Sequence, residues 1–162
     1  MASFEFLAII LTGLGLTASI AYYTNVLRNA NKTREAQLFM QIYSQWNSTE
    51  LQRHYRIVME AQFENYDDYV ENFMSDFDNR IAVNSVAVFF EGVGVYVKRG
   101  LIDVSMVDDL MSEAIMSFWD KSKPIIYETR TRNNLPQFAE FVEYLSIEVK
   151  DIFEKQHPEL AT

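Results

Sequence analysis

The sequence has 162 residues, of which 49% are hydrophobic and 14% aromatic, with only five glycines and three prolines. This composition favours one domain of long helices over a turn-rich β fold. The formal net charge of -9 disfavours nucleic acid as a partner, because phosphate backbones are bound through Lys and Arg. The sequence contains no cysteine, which excludes disulfides, thiolate zinc sites and cysteine nucleophiles.

The first predicted element is an apolar segment at the N-terminus. Residues 6–23 carry no charge, and with Phe4 the segment has about 20 residues, enough for a helix to cross a bilayer. We therefore predict a transmembrane anchor over residues 1–25. The predicted membrane-spanning residues are Phe6, Leu7, Ile9, Ile10, Leu11, Leu14, Leu16, Ile20, Tyr22 and Tyr23.

A cleaved signal peptide is the alternative interpretation of this segment. Signal peptides begin with Lys or Arg and have a shorter apolar core, whereas the only early charge here is Glu5. Ser19 and Ala21 nevertheless offer a small-residue cleavage site. The anchor is the favoured reading of the two.

Basic residues after the segment predict its orientation. Arg28, Lys32 and Arg34 follow the segment, and no Lys or Arg precedes it. The positive-inside rule then places the rest of the chain in the cytoplasm, as a single-pass membrane protein.

Small residues recur on one face of the predicted anchor. Gly13, Thr17 and Ala21 are spaced four residues apart, a spacing that lets two membrane helices approach closely and that also arises by chance. They form a candidate face for packing against another membrane helix.

The remaining sequence has helical periodicity, so we predict an all-α fold. An N-terminal transmembrane helix is followed by a compact bundle of about five or six helices over residues 26–157, and by a tail over residues 158–162. The predicted bundle helices are a continuation of the anchor to Trp46, a helix capped by Asn47 or Ser48, an acidic helix near residues 66–77, an apolar helix over 80–99, a helix from Asp103 to about Phe118, and a closing helix over 138–152. A short basic stretch over residues 124–132 precedes the last of these.

The segment FFEGVGVYVKRGLID, residues 89–103, superficially resembles a phosphate-binding loop. It lacks the Gly-Lys-Ser/Thr ending of a Walker loop and the third glycine of a dinucleotide fingerprint. We predict instead that Gly100 ends one helix and Asp103 caps the next. Because glycine inside a helix is unfavourable, Gly92 and Gly94 predict a neighbouring helix that crosses at close range.

Glu91 is the most interesting titratable residue in this segment. The structural interpretation is an ion pair with Arg56, Arg130 or another base, and the alternative is a catalytic acid or base in a cleft. Neither histidine follows a glutamate at the spacing of carboxylate-bridged metal sites, so no metal or other cofactor is predicted.

Several segments together resemble a known family. They are IYSQWNSTEL, FFEGVGVYVKRGLIDVSMVDDLM, FWDK, PIIYETR and FVEYLSIEV. They resemble an uncharacterised prokaryotic family of N-terminally membrane-anchored helical proteins, catalogued as a domain of unknown function. The resemblance implies that Glu91, Gly100, Asp103, Trp119 and Arg130 match the family's pattern. It implies no catalytic residue, because the family has no established activity.

These observations lead to one functional expectation and two alternatives. We expect a membrane-anchored, non-catalytic helical protein that acts as an accessory subunit or interaction scaffold, with the lipid bilayer and a protein partner or second copy as its partners. The alternatives are a regulatory module that senses a small molecule or partner, and an enzyme with a Glu-centred cleft. The candidate structural or interaction residues are Glu91, Gly92, Gly94, Gly100, Asp103, Trp119 and Arg130.

Overall fold

The computed structural model describes residues 2–158, and every regular element within them is helical. The elements are α1 (Ala2–Trp46), α2 (Thr49–Glu60), α3 (Tyr66–Asp68) with a π-helical turn directly after it (Tyr69–Phe73), α4 (Phe77–Lys98), α5 (Val104–Arg132) and α6 (Glu140–Gln156). The predicted all-α fold, with a long apolar N-terminal helix and a packed helical group, is confirmed. Of the predicted tail, residues 159–162 lie outside the described residues.

The chain divides into two compact units, with the boundary between Leu38 and Phe39. This boundary lies later in α1 than residue 25, where the anchor is predicted to end. In the first unit α1 is long and apolar enough to cross a membrane, and its most apolar window has no buried residue. The predicted spanning residues are all exposed.

The second unit has α4 at its centre. α4 packs against α2 and α6, and α5 packs against α6. α4 also passes the length and composition test for a membrane span, but its inward face is buried, with Phe90 fully so. The ring of Trp46, the last residue of α1, lies 5.4 Å from the Phe90 ring, and the Phe118 ring lies 5.1 Å from Phe90 on the other side. The core is therefore an aromatic cluster built around α4.

Helix α5 is longer than the sequence predicts. It runs through Pro124 to Arg132, where we expected a short basic stretch outside the helix. Proline removes one backbone hydrogen bond, but Ile125 and Ile126 are buried and extend the apolar face begun by Ile115. Burial on both sides of Pro124 therefore keeps the helix continuous.

Local caps form the turn between α4 and α5. Gly100 has a φ of 64°, its amide donates to the Val97 carbonyl, and the Leu101 amide donates to the Tyr96 carbonyl, both at 2.9 Å. This is a Schellman cap, the geometry that the Lys-Arg-Gly pattern predicts. Asp103 then caps α5 by accepting a 2.8 Å hydrogen bond from the Ser105 amide.

The two glycines of α4 have different surroundings. A Cβ atom at Gly94 would lie 2.2 Å from the backbone oxygen of Phe141, because α6 crosses α4 at this point. A Cβ atom at Gly92 would meet nothing within 4 Å. The close helix crossing is therefore at Gly94 alone, and packing inside the bundle does not explain Gly92.

We predict that Gly94→Ala lowers the free energy of unfolding by about 2–3 kcal/mol, because the methyl group collides with rigid backbone rather than a mobile side chain. Gly92→Ala is the matched control, and it is expected to leave the α4–α6 crossing intact, because nothing in the bundle lies within 4 Å of the added Cβ atom. Urea unfolding of the full chain in detergent, followed by circular dichroism, measures both. Equal effects of the two substitutions would contradict the close crossing.

Candidate functional site

Glu91 lies on α4 beside the start of α6. Its Oε2 atom accepts a 2.8 Å hydrogen bond from the backbone amide of Val142, in the first turn of α6. The residue at the cap position of α6 is Ala139, which has a φ of 55° and no side chain that can accept a hydrogen bond. Glu91 therefore supplies from α4 the anionic cap that α6 lacks in its own sequence.

Arg130, one of the bases predicted as possible partners of Glu91, pairs with a different carboxylate. The Arg130 Nη1 atom instead lies 2.6 Å from Glu143 Oε2, and its Nε atom donates to the Phe138 carbonyl at 2.8 Å. Glu143 lies in the first turn of α6. Arg130 thus ties the last turns of α5 to the α5–α6 loop and to α6.

Tyr127 completes this contact. Its hydroxyl donates to Glu143 Oε1 at 2.8 Å, and the Arg130 guanidinium lies 5.4 Å from the centre of the Tyr127 ring. Trp119 joins from the preceding turns of α5, with its ring at 6.1 Å from Tyr127 in an edge-to-face arrangement. Sequence reasoning missed Tyr127 and Glu143, although a Tyr and an Arg three residues apart on one helix face were a usable signal.

The electrostatics of this cluster are those of a structural contact. Burial by itself raises the pKa of Glu143, but hydrogen bonds from Arg130 and Tyr127 and the charge of Arg130 lower it overall. The hydrogen bond to Glu143 raises the pKa of Tyr127. Both groups therefore keep their ordinary charge at neutral pH, which suits a clamp between helices better than proton transfer.

Glu91 also lines an open groove on the outer side of α4. The groove has a volume of about 610 Å³, and its lining includes Arg80 on α4 and Tyr69 on the π-helical turn. Arg130 is not part of this lining. The groove therefore lacks the arginine that the cleft hypothesis requires, and one carboxylate oxygen of Glu91 is already engaged by α6.

The seven candidate residues do not form one site. Glu91, Arg130 and Trp119 converge around the start of α6, through Val142, Glu143 and Tyr127 respectively. Gly94 lies under α6, whereas Gly100 and Asp103 belong to the α4–α5 turn and Gly92 faces outward. Within the described residues no group of three or more His, Asp or Glu side chains is placed to hold a metal ion.

Asp108 is a buried carboxylate on α5 that the sequence analysis did not single out. Its side chain is buried, and Oδ1 has no hydrogen-bond partner among the described residues. Burial raises the pKa of Asp108, the charge of Asp109 raises it further, and His157 opposes both. The helical pattern did not reveal this residue because its burial depends on how α5 packs.

We predict that Glu91→Ala lowers the free energy of unfolding by about 1–2 kcal/mol, because α6 loses its cap. Glu91→Gln keeps an oxygen acceptor and is expected to lose less than half as much. Urea unfolding of the full chain in detergent measures both, and amide hydrogen exchange at Val142 reports the cap directly. If Glu91→Ala left the protection of this amide unchanged, the capping role would be wrong.

Glu143 and Asp108 are expected to affect stability in opposite directions. The lowered pKa of Glu143 means that its carboxylate stabilises the fold above its unfolded pKa, a contribution lost as the pH falls through the folded value. The raised pKa of Asp108 means that its carboxylate destabilises the fold at neutral pH, a penalty relieved as the pH falls through the folded value. Glu143→Gln is expected to lower the free energy of unfolding by about 2 kcal/mol, and Asp108→Asn to raise it.

Urea unfolding of both variants at neutral pH, and again below the ordinary carboxyl pKa, tests this pair. Both differences from the wild type are expected to shrink in acid. Asp120→Asn, at an exposed position further along α5, is the control for a general change in net charge. A destabilising Asp108→Asn at neutral pH would show that this carboxylate has a partner that stabilises it.

No curated protein and no solved structure matches the chain. One family model matches residues 4–148, from the start of α1 into α6. The prokaryotic origin and the membrane anchoring implied by the resemblance stay predictions. The match covers most of the sequence, and the chain belongs to the family described as Domain of unknown function (DUF4760).

Proposed function

We propose that this protein is a membrane-anchored, non-catalytic helical protein that acts as an accessory subunit or interaction scaffold at the membrane. The observation that carries the proposal is the exposed apolar surface of α1. Large apolar side chains cover all sides of its first half, including Ile9, which is 69% exposed, and Leu16, which is 63% exposed. Water disfavours such a surface, and the hydrocarbon core of a bilayer accommodates it.

The hydroxyl groups in this part of α1 support a lipid environment. Thr12, Thr17, Ser19 and Thr24 each donate a hydrogen bond of 2.8–2.9 Å to the carbonyl one turn earlier. Because hydrocarbon offers no partner, polar groups in a span have to be satisfied within the helix. Each of these four hydroxyls has such an internal acceptor.

A signal sequence also fits a long, exposed, apolar N-terminal helix. We favour the anchor because Ser19 and Ala21, the small residues that suit cleavage, lie inside an unbroken helix that extends to Trp46. The basic residues Arg28, Lys32 and Arg34 support the cytoplasmic placement of the second unit.

The surroundings of Glu91 support a non-catalytic role. A general acid or base needs a proton to exchange with a substrate, but one oxygen of Glu91 is bound to the α6 backbone. The other polar cluster, around Arg130, joins two helices. The polar side chains of these two clusters thus hold helix ends in place, which suits a scaffold.

A small-molecule sensor is the second candidate, and one observation favours it. An apolar cavity of about 90 Å³ lies under the π-helical turn, and it shares Tyr69, Val83 and Phe138 with the groove that Glu91 lines. A cavity of this size holds a small apolar group. Thermal shifts of the full chain with short-chain alcohols or fatty acids test this candidate.

We predict that the full chain stays in the membrane pellet after alkaline carbonate extraction, because its span is embedded in hydrocarbon. The double substitution Ile10→Arg and Leu14→Arg is expected to release most of it, since each charge at the centre of a span costs about 2.5–3.5 kcal/mol. Met40→Arg with Ser44→Arg adds the same charges to exposed positions further along α1 and is the matched control.

Three results would contradict this proposal. A mature protein whose mass lacks the first part of α1 would identify a signal peptide. Degradation of the second unit by protease added to intact cells would reverse the orientation. Mild-detergent extraction then tests the interaction role, which a lone monomer with neither a partner nor a second copy would disprove.

A further inference from the structure

The outward face of α4 is unusually apolar for the surface of a bundle. We use the name outer stripe for five residues on this face, namely Phe77, Ile81, Val88, Gly92 and Val95, whose successive spacings are four, seven, four and three residues. Phe77 is 65% exposed and Val88 is 61% exposed. A helix at a bundle surface normally presents polar residues outward. Within the outer stripe Ile81, Val88 and Val95 recur every seven residues, the spacing that serves a second helix in a coiled coil, with exposed Asn84 between the first two.

Gly92 gives the outer stripe a place for close approach. Nothing lies within 4 Å of its missing Cβ atom, so no contact among the described residues requires glycine there. Gly94, by contrast, is required by the crossing of α6. A glycine in a helix interior is unfavourable unless something packs against it. At Gly92 that packing surface has to come from outside the bundle.

Two grooves flank the outer stripe. One has a volume of about 550 Å³ and is bordered by the end of α1 and by α2. The other, of about 610 Å³, is the groove lined by Glu91. Asn84 and Val88 line both grooves and so form the ridge between them. Helices pack with ridges in grooves, and a ridge beside a groove is complementary to a copy of itself turned about a twofold axis.

The charges at the two ends of α4 favour an antiparallel copy. Asp76 and Asp78 stand at its N-terminal end, and Lys98 and Arg99 stand at its C-terminal end. An antiparallel pairing places the acidic end of one helix beside the basic end of the other, and it also aligns the helix dipoles favourably. Asp78 and Lys98 are each ten residues from Val88 in the sequence. An antiparallel pairing centred on Val88 therefore places Asp78 of one copy at the same height along the helix axis as Lys98 of the other.

We propose that two copies of the chain associate through their outer stripes, with the α4 helices antiparallel and a twofold axis near Val88. This inference rests on the proposed interaction role and deepens it by naming the partner as a second copy. In this arrangement Val88 meets Val88 of the partner subunit, and Ile81 lies level with the partner's Val95. The two Gly92 positions let the helices approach closely.

Single cysteines in the full chain test this geometry, because the sequence has no cysteine of its own. In native membranes under mild oxidation, Val88→Cys is expected to form a disulfide-linked dimer, since disulfides require Cα atoms within about 7 Å. Ile81→Cys and Val95→Cys are each expected to stay monomeric when expressed alone, and to form a mixed dimer when differently tagged copies are expressed together. Ile147→Cys on α6, 52% exposed, is the control for random collision.

Four outcomes would overturn the proposal. Linkage of Ile81→Cys to itself would mean a parallel pair, and Val88→Cys linkage no greater than that of Ile147→Cys would mean no pair at this face. Capture of a different protein by Val88→Cys would replace the second copy with that protein. Protection of Val88→Cys from aqueous thiol reagents without linkage would mean that the stripe faces lipid.

A second variant separates this inference from the proposed function. Val88→Asp puts a charge at an exposed position beside the proposed twofold axis. It is expected to shift the native mass of the detergent-extracted protein from that of a dimer to that of a monomer. It is expected to remain in the carbonate-washed membrane pellet. A wild-type protein that is retained in the membrane and is extracted with a different protein instead of a second copy would disprove the self-association alone, whereas loss from the membrane would disprove the proposed function.

Discussion

The close crossing of α4 and α6 at Gly94 is the contact on which the rest of the bundle depends. Because no side chain separates the two backbones there, the start of α6 is drawn against α4. Glu91 then comes within hydrogen-bond distance of the Val142 amide. The same placement brings Glu143, in the next positions of α6, within reach of Arg130 on α5. One missing Cβ atom thereby determines where three helices meet.

This junction explains why the resemblance residues are spread along the sequence. Glu91, Trp119 and Arg130 stand on two helices, yet each contributes to holding the start of α6, either directly or through Tyr127. Gly100 and Asp103 set the turn between α4 and α5. These five residues thus all take part in joining helices α4, α5 and α6.

Local features of the structure were predictable from the sequence, and non-local ones were not. The caps at Gly100 and Asp103 involve residues close in sequence, so the pattern KRGLID was sufficient to predict them. The partner of Glu91 is 51 residues away, and only the docking of α6 reveals it. The environment of Asp108 could not be predicted for the same reason, because neither its burial nor its unpaired oxygen follows from helical spacing. At Pro124 the burial of the following isoleucines outweighed the local signal for a helix end.

The position of Trp46 constrains the order in which the protein is assembled. This residue ends the helix that carries the apolar segment, but its ring packs on Phe89 and Phe90, which are synthesised much later. During translation the apolar segment of α1 therefore emerges from the ribosome well before the aromatic core can close. Any targeting factor or membrane that receives it acts on a chain whose second unit is still unfolded. Docking of Trp46 therefore has to wait until α4 has been synthesised.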